Sequence, residues 1–381
     1  MPKFLFVCND FIGKTMAGPG IRYWEIARAL ERKGDQAALL ARSVEDASSR
    51  SGITFVGRAS LAHLVSRIRW ADRVILPGSP LAMLLCVLFR KHIIFDQYDP
   101  VVFEFLERTP ASLGGVIRKS VMLALWKIRQ RLILRYGHAF LVANDKQKDW
   151  LIGQLTSLGY LDKLKSVILL PFGLPAEKPA RTRAVLRGRE VKNTDFLLVW
   201  GGGIWDWFDP FTLLEAMARI KETRTDIKVY FPGVNPPNPG SRMLSVYDRF
   251  LSEAGRLGLL DTVVFVNRGW TPYEQRADYL LEADAGISLH RDSMETRFAF
   301  RTRMLDYLWA GLPIIASSGD NWGDSIERKK LGITTPPGDV DAVQNAIVRM
   351  ADDAALRAAC REHVLAEAEH YRWDELVKVL G

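Results

Sequence analysis

Cysteine is scarce in this chain: three residues in 381, at Cys8, Cys86 and Cys360. An odd number with no shared metal-ligand spacing excludes a disulfide-stapled scaffold and reads as buried free thiols in a reducing compartment. Long apolar runs are lacking too. The longest, Leu81 to Phe89, has nine residues, whereas a bilayer-spanning helix needs about 20. The apolar start KFLFV over 3–7 is short and soon followed by Asn9-Asp10, so it reads as a first buried strand and not as a secretory signal. Acid is missing over one stretch: Thr109 to Asn144 contains no Asp or Glu. No repeat of 20–50 residues and no low-complexity tract stands out.

What is present is ordinary for a folded chain. Hydrophobic residues make up 48% and charged residues 25%, which excludes a disordered or collagen-like protein. At roughly 100–200 residues per domain, the length predicts two domains. Lys and Arg number 52 against 44 Asp and Glu, a net charge of +8. The acid-free stretch holds Arg118, Lys119, Lys127, Arg129, Arg131 and Arg135, so most of the excess is local.

Short β-branched or aromatic runs alternate with helical patterns, the signature of parallel sheets built from βαβ units. Strands are predicted near 3–7, 37–41, 53–56, 73–76, 92–95, 139–142 and 166–170. Helices fall near 20–33, 60–70, 80–90, 114–136 and 145–157. The segment from Pro171 to Asn193 has three prolines, many charges and no apolar period, and reads as a linker. A second series follows, with strands near 195–199, 227–231, 262–266, 284–289 and 313–316. Its helices lie near 210–223, 242–258, 272–282, 301–310 and 339–350, and helical pattern resumes from Asp353. The expected fold is α/β, two doubly wound parallel-sheet (Rossmann-like) lobes, with ligand at the carboxyl ends of the strands.

Two glycine-rich turns follow the first strand of each series. Gly13-Lys14-Thr15 invites a triphosphate-loop reading, but that loop needs a glycine where Cys8 stands, so a chance match is favoured. Gly18-Pro19-Gly20 lacks the third glycine of the dinucleotide fingerprint, since Tyr23 occupies it. What remains is a polar loop before a helix, able to face an anion or to serve as a plain turn. In the second series, Gly201-Gly202-Gly203 cost backbone entropy that a simple turn would rarely need, so a ligand contact is expected there. Trp205 and Trp207 offer a ring for stacking, with one of them assigned to the core.

Arg291, Arg297, Arg301 and Arg303 crowd the start of a late helix. Cations at a helix N-terminus oppose its dipole unless an anion compensates. Diphosphate binding is the expected use, and pairing with Asp292, Glu295 or Asp306 is the alternative.

The order of these features, together with Pro171-Phe172-Gly173-Leu174 and Leu305-Asp306-Tyr307-Leu308-Trp309-Ala310-Gly311-Leu312-Pro313, resembles the retaining glycosyltransferases of the GT-B fold, family four. The likeness runs over essentially the whole chain. The late segment is its most specific part, matching the family's Leu-Glu-Ala-Met-Ala-x-Gly-x-Pro. The resemblance implies that Asp306 binds the donor's ribose, that Gly18 and Gly20 face its phosphates, and that Phe172-Gly173 lie near the cleft. Gly202, Gly203, Trp205, Arg301, Thr302 and Arg303 complete the expected donor side.

Two departures matter. Phe298 stands where the family has a sugar-contacting Glu, and Glu295 is the nearby substitute. The family's diphosphate-holding Arg and Lys align with Gly203 and Phe208, so Arg301 and Arg303 are expected to replace that charge. Tyr98-Asp99 occupy the place of an acceptor-side His-Asp pair; Asp99 orients an acceptor hydroxyl or caps the next helix. Asp99 and Glu295 are thus the catalytic candidates. The remaining histidines show no metal-ligand spacing.

The implied organisation is an acceptor lobe over 1–175, a linker over 176–194, a donor lobe over 195–362 and a helical segment over 363–381 that crosses back to the first lobe. The implied reaction moves a sugar from a nucleoside diphosphate donor to a glycan or lipid-linked hydroxyl, with neither a metal nor another cofactor. Residues 114–136 place Ile117, Val121, Leu125, Ile128 and Leu132 on one face and Lys127, Arg131 and Arg135 on another, beside Trp126. That is the composition of a helix lying on an anionic membrane, or of a lobe helix with a solvated cationic edge; nucleic acid is not expected. The expected location is cytoplasmic, peripheral at the inner membrane face. Two rival readings stay open: a sugar-nucleotide epimerase on the same fold, and a non-catalytic membrane-bound sugar-nucleotide sensor or scaffold.

Overall fold

Each apolar run of four or five residues pairs on both sides with others like it, as buried parallel strands do. In a computed structural model, all residues are described except 14, 15, 17, 42, 45–53, 57–59, 108–112, 234–243 and 270. Lys14 and Thr15 of the triphosphate-loop look-alike therefore lie outside the described residues, as do parts of the strand expected at 53–56 and the helix at 242–258. The chain divides into two units: Met1–Ala176 with Tyr371–Gly381, and Glu177–His370.

The first unit contains strands β1 (Lys3–Val7), β2 (Phe11–Ile12), β3 (Gln36–Leu40), β4 (Ser43–Val44), β5 (Thr54–Val56), β6 (Arg73–Leu76), β7 (His92–Asp96), β8 (Ala139–Val142) and β9 (Val167–Leu169). Its helices are α1 (Gly18–Lys33), α2 (Leu61–Trp70), α3 (Pro80–Leu88), α4 (Val101–Glu107), α5 (Leu113–Tyr136) and α6 (Asp145–Ser157). Seven strands form one parallel sheet in the order β5-β3-β1-β6-β7-β8-β9, and β2 pairs with β4 apart from it. The core on one side of the sheet joins Leu5, Val74, Leu76, Phe95 and Phe140 to Ile68, Cys86, Ile133 and Leu151 of the helices.

The second unit holds β10 (Phe196–Val199), β11 (Ile227–Phe231), β12 (Val264–Val266), β13 (Ala285–Ser288), β14 (Ile314–Ser317) and β15 (Gly332–Thr335). Between and after them lie α7 (Pro210–Lys221), α8 (Leu244–Arg256), α9 (Arg276–Leu280), α10 (Met294–Phe298), α11 (Arg303–Ala310), α12 (Asn321–Lys329), α13 (Val340–Asp352) and α14 (Ala354–Ala368). The parallel sheet runs β12-β11-β10-β13-β14-β15. Strand order reverses between β10 and β13, whose register sets Val199 against Gly286. Sequence patterning did not place β15, α10 or α12. The first of these is only half-buried, and α10, with five residues, is too short for a period to show.

Two connections are set by the contacts they make. Residues 177–194 are not a free linker but are bound to the second unit. Asp278 accepts from the Thr182 and Arg183 amides, and Glu282 from the amides of Val185, Leu186 and Arg187. At the other end, a short helix α15 (Trp373–Leu376) belongs to the first unit. Trp373, Val377 and Leu380 are buried there, and Leu174 bridges to Arg372.

Candidate functional site

In the second unit the site grows from the switch between β10 and β13, the place where open α/β sheets hold ligands. Past β10 the chain turns through Gly201-Gly202-Gly203, with Gly202 at φ +74°, a left-handed conformation suited to glycine. Tyr307 of α11 fastens this turn. Its hydroxyl accepts from the Gly201 amide at 2.8 Å and lies 3.1 and 2.8 Å from the carbonyls of Val199 and Ile287. Gly286 has no room for a side chain, since a Cβ would sit 2.5 Å from the Tyr307 ring. With the Gly201 amide committed, those of Gly202 and Gly203 donate to no described residue.

The turn then runs alongside the end of β13. Phe208 bridges His290, the Asp209 amide donates to Leu289 and the Arg291 amide to Trp207. Asp209 caps α7 through Thr212. Trp205 and Trp207 stack on each other, centroids 5.4 Å apart and planes within 6°, and both pack against the core of this unit. One face of the half-buried Trp205 ring is therefore taken by its neighbour.

The two arginines opening α11 diverge. Arg301 does not stand free: its Nη1 and Nη2 donate to the two Glu295 oxygens at 3.0 and 2.8 Å, and Nη2 also to Thr296. Its Nε lies 3.8 Å from Asp320, which is 3.5 Å from His290 Nε2. All four side chains are buried. Arg301, expected to face the donor, and Glu295, expected to contact the sugar, are each the other's buried partner. Burial holds the His290 imidazole below its ordinary pKa, with Asp320 pulling the other way.

Arg303 is buried as well, yet among the described residues it pairs with no carboxylate, and Asp306 acts on it only at longer range. Its guanidinium stacks 3.7 Å over Phe208 and 4.9 Å over Trp200. Nη2 donates to the Gly203 carbonyl at 2.8 Å, and Nη1 has no hydrogen-bond partner among the described residues. Burial pushes its pKa down to about 10. A buried cation without an anion is costly, and the α11 N-terminus adds to the deficit: Thr302 is exposed and makes no capping bond. Asp306, in the first turn of α11, accepts from Arg276 Nε at 3.1 Å through Oδ1, while Oδ2 bonds to no described residue. Burial raises the Asp306 carboxyl above the usual carboxylate range, opposed by Arg276.

In the first unit the structure brings Tyr98, Phe172 and Gly18 together around Arg22. This guanidinium, fully buried, pairs with Asp96 at 2.8 Å and donates to the carbonyls of Leu170 and Pro171. It lies 4.8 Å from the Tyr98 ring and 5.4 Å from Phe172. Gly18 and Gly20 fall inside the first turn of α1 and not before it, because Pro19 is tolerated where amides have no helical partner. Phe172 is buried, and a Cβ on Gly173 would lie 2.5 Å from the Trp373 ring. Packing on Trp373 is enough to require that glycine. Asp99 is exposed just ahead of α4.

Sequence reasoning missed Arg276, Tyr307 and the His290–Asp320 contact. An arginine on the short buried helix α9 was the one available signal.

Residues 196–353 match the family described as Glycosyl transferases group 1. This matched part of the chain carries the whole site of the second unit. Over its full length the chain shares the two-lobed GT-B fold with solved structures. HepE of Anabaena, solved with UDP and glucose, superposes with a TM-score of 0.71 at 13% identity, covering 100% of this chain and 98% of that one. WaaG, a glycosyltransferase involved in lipopolysaccharide biosynthesis, gives 0.70 at 16% identity, covering 99% and 98%. The sucrose-phosphate synthase of Thermosynechococcus elongatus gives 0.65 at 15%, covering 100% and 98%. Among curated proteins none matches this sequence.

Proposed function

We propose that the chain transfers a sugar from a nucleoside diphosphate donor to a hydroxyl of a lipid-linked glycan, with retention at the anomeric carbon and without a metal, in cell-surface polysaccharide synthesis. The observation that carries this reading is Arg303. Its buried guanidinium, paired with no carboxylate among the described residues, reaches Gly203 and Phe208, the two positions where the resembling family keeps its diphosphate-holding cations. The charge missing from the turn returns through space from α11.

In this reading the donor's diphosphate lies against Arg303 Nη1, the Gly202 and Gly203 amides and the α11 N-terminus at Thr302. As the bond from the anomeric carbon to the diphosphate oxygen breaks, that oxygen takes the electron pair. Preorganised donors in a water-poor site stabilise the charge that develops. Asp306 receives the ribose. The first unit takes the acceptor, with Tyr98 and Asp99 on that side. Because Glu295 is held by Arg301, its contribution is to keep Arg301 from competing with Arg303 for the diphosphate.

Support for a membrane-borne acceptor comes from α5. Val116, Ile117, Val121, Leu125 and Ile128 are 47–58% exposed, beside exposed Arg118, Lys127 and Arg131. Apolar side chains interleaved with cations and free of acid fit an anionic lipid surface, and we place the protein peripherally on the cytoplasmic face.

The test is a thermal-shift screen of the full chain against UDP, GDP, ADP, CDP and dTDP. One of them at 100 times its Kd should stabilise the fold by about 2.7 kcal/mol. Arg303→Met should weaken its affinity about 10–100-fold, the loss of a charged hydrogen bond. An unchanged affinity would remove the diphosphate assignment. Release of nucleoside diphosphate only when acceptor is added, with no sugar isomer formed from donor alone, separates transfer from epimerisation and from sensing.

A further inference from the structure

We propose that Arg276 is a positioning residue for Asp306, and that this pair, more than the acid alone, sets how strongly the site prefers a ribose to its deoxy counterparts. The inference rests on the reading of Asp306 as the ribose acid.

Arg276 opens α9, a different element from the helix that carries Asp306, and the fold brings the two together. Every nitrogen of its guanidinium is engaged. Nε donates to Asp306 Oδ1 at 3.1 Å, Nη1 to the Tyr273 carbonyl at 2.8 Å and Nη2 to the Tyr273 hydroxyl at 3.0 Å. The planar group is also held between two rings, 3.7 Å from Tyr273 and 4.2 Å from Trp309. Trp309 is itself fastened, its Nε1 donating to the Glu177 carbonyl at 2.8 Å. Arg276 is thus a buried, fully determined strut.

Its effect on Asp306 is specific to one oxygen. Oδ1 is immobilised, while Oδ2, on a side chain 30% exposed, bonds to no described residue. The carboxylate cannot swing towards solvent, and its free oxygen is presented in one direction. An aspartate has particular need of this, since it is one methylene shorter than the glutamate of the family pattern and cannot extend to follow a ligand. Rigid placement before binding spares the ordering cost that a mobile carboxylate would incur on meeting vicinal hydroxyls.

The test compares ligands that differ only at the ribose. The full chain, wild type and variants, is titrated calorimetrically with UDP, GDP, ADP and CDP and with the 2′,3′-dideoxy form of whichever binds best. Wild type should prefer the ribose form by about 10–100-fold, the scale of a hydrogen bond to a charged group. Arg276→Gln should bring that ratio below about 5 while moving the dideoxy affinity less than about threefold, and Arg276→Lys should restore part of it. An Arg276→Gln protein that keeps the wild-type ratio, or weakens both ligands alike, would overturn the proposal and leave a packing role. A ratio near 1 in wild type and unchanged in Asp306→Asn would instead overturn the ribose reading of Asp306, before any Arg276 variant is considered. Should Arg276→Gln fail to fold, Tyr273→Phe, which deletes only the hydroxyl that accepts from Nη2, must lower the ratio or the proposal falls.

Discussion

Arg301 and Arg303 flank one exposed threonine, and their surroundings give them opposite duties. Arg301 neutralises Glu295 and shares Asp320 with His290, so removing it would strand buried acid. Arg303 rests on aromatic faces with one nitrogen unanswered. The cluster around Arg301 also makes stability depend on pH. Asp320, Arg301, the Arg291 carbonyl and the Ser317 hydroxyl face His290, and burial leaves it less basic than in the unfolded chain. A depressed folded pKa means that its contribution is intact above the unfolded value of about 6.5 and is lost as pH falls through the folded one. His92 and His138 are depressed likewise, by burial first. The expected result is a fall in melting temperature from pH 7 to pH 5 that is smaller in His290→Asn than in wild type. Equal falls in the two proteins would refute this assignment.

At the level of elements, α5 behaves unlike its neighbours. The apolar spacing of Ile117, Val121, Leu125 and Ile128 was legible in the sequence, as was the absence of acid. Spacing alone could not say whether that stripe is covered. Within the first unit it is exposed, while Trp126, a candidate for the lipid face, instead stacks on Trp150 at 6.3 Å. Arg129 is exposed, but its guanidinium is tied down, donating to Gly78 and Pro77. The exposed cations without such a tie are Arg118, Lys127, Arg131 and Arg135. Each basic residue near an anionic bilayer contributes about 1 kcal/mol. Reversing two, in Lys127→Glu/Arg131→Glu, should weaken sedimentation with phosphatidylglycerol vesicles by at least about 10-fold and leave phosphatidylcholine vesicles unaffected. Binding that survives the reversal would show that α5 does not meet the lipid.

On the scale of the whole molecule, chain ends and crossings decide which residues share a unit. Trp373 is wholly buried against Phe172 and Gly173, and Arg32 pairs with Asp374. Trp373→Ala should cost the first unit about 3–5 kcal/mol. In calorimetry one transition should fall while the one raised by nucleoside diphosphate stays in place; a drop in both would contradict this division. Alternating apolar runs, glycines after the leading strands and the Leu305–Pro313 segment were enough to set out two parallel sheets and the region of the site, because strand burial and tight turns leave local marks. Partnership leaves far less. The Arg301–Glu295 pair was one of the alternatives the sequence offered, six residues apart, but that Arg276 belongs to Asp306, Tyr307 to Gly201, and 177–194 to Asp278 and Glu282 emerged only when distant segments met, since a buried charge takes whichever partner packing brings within reach.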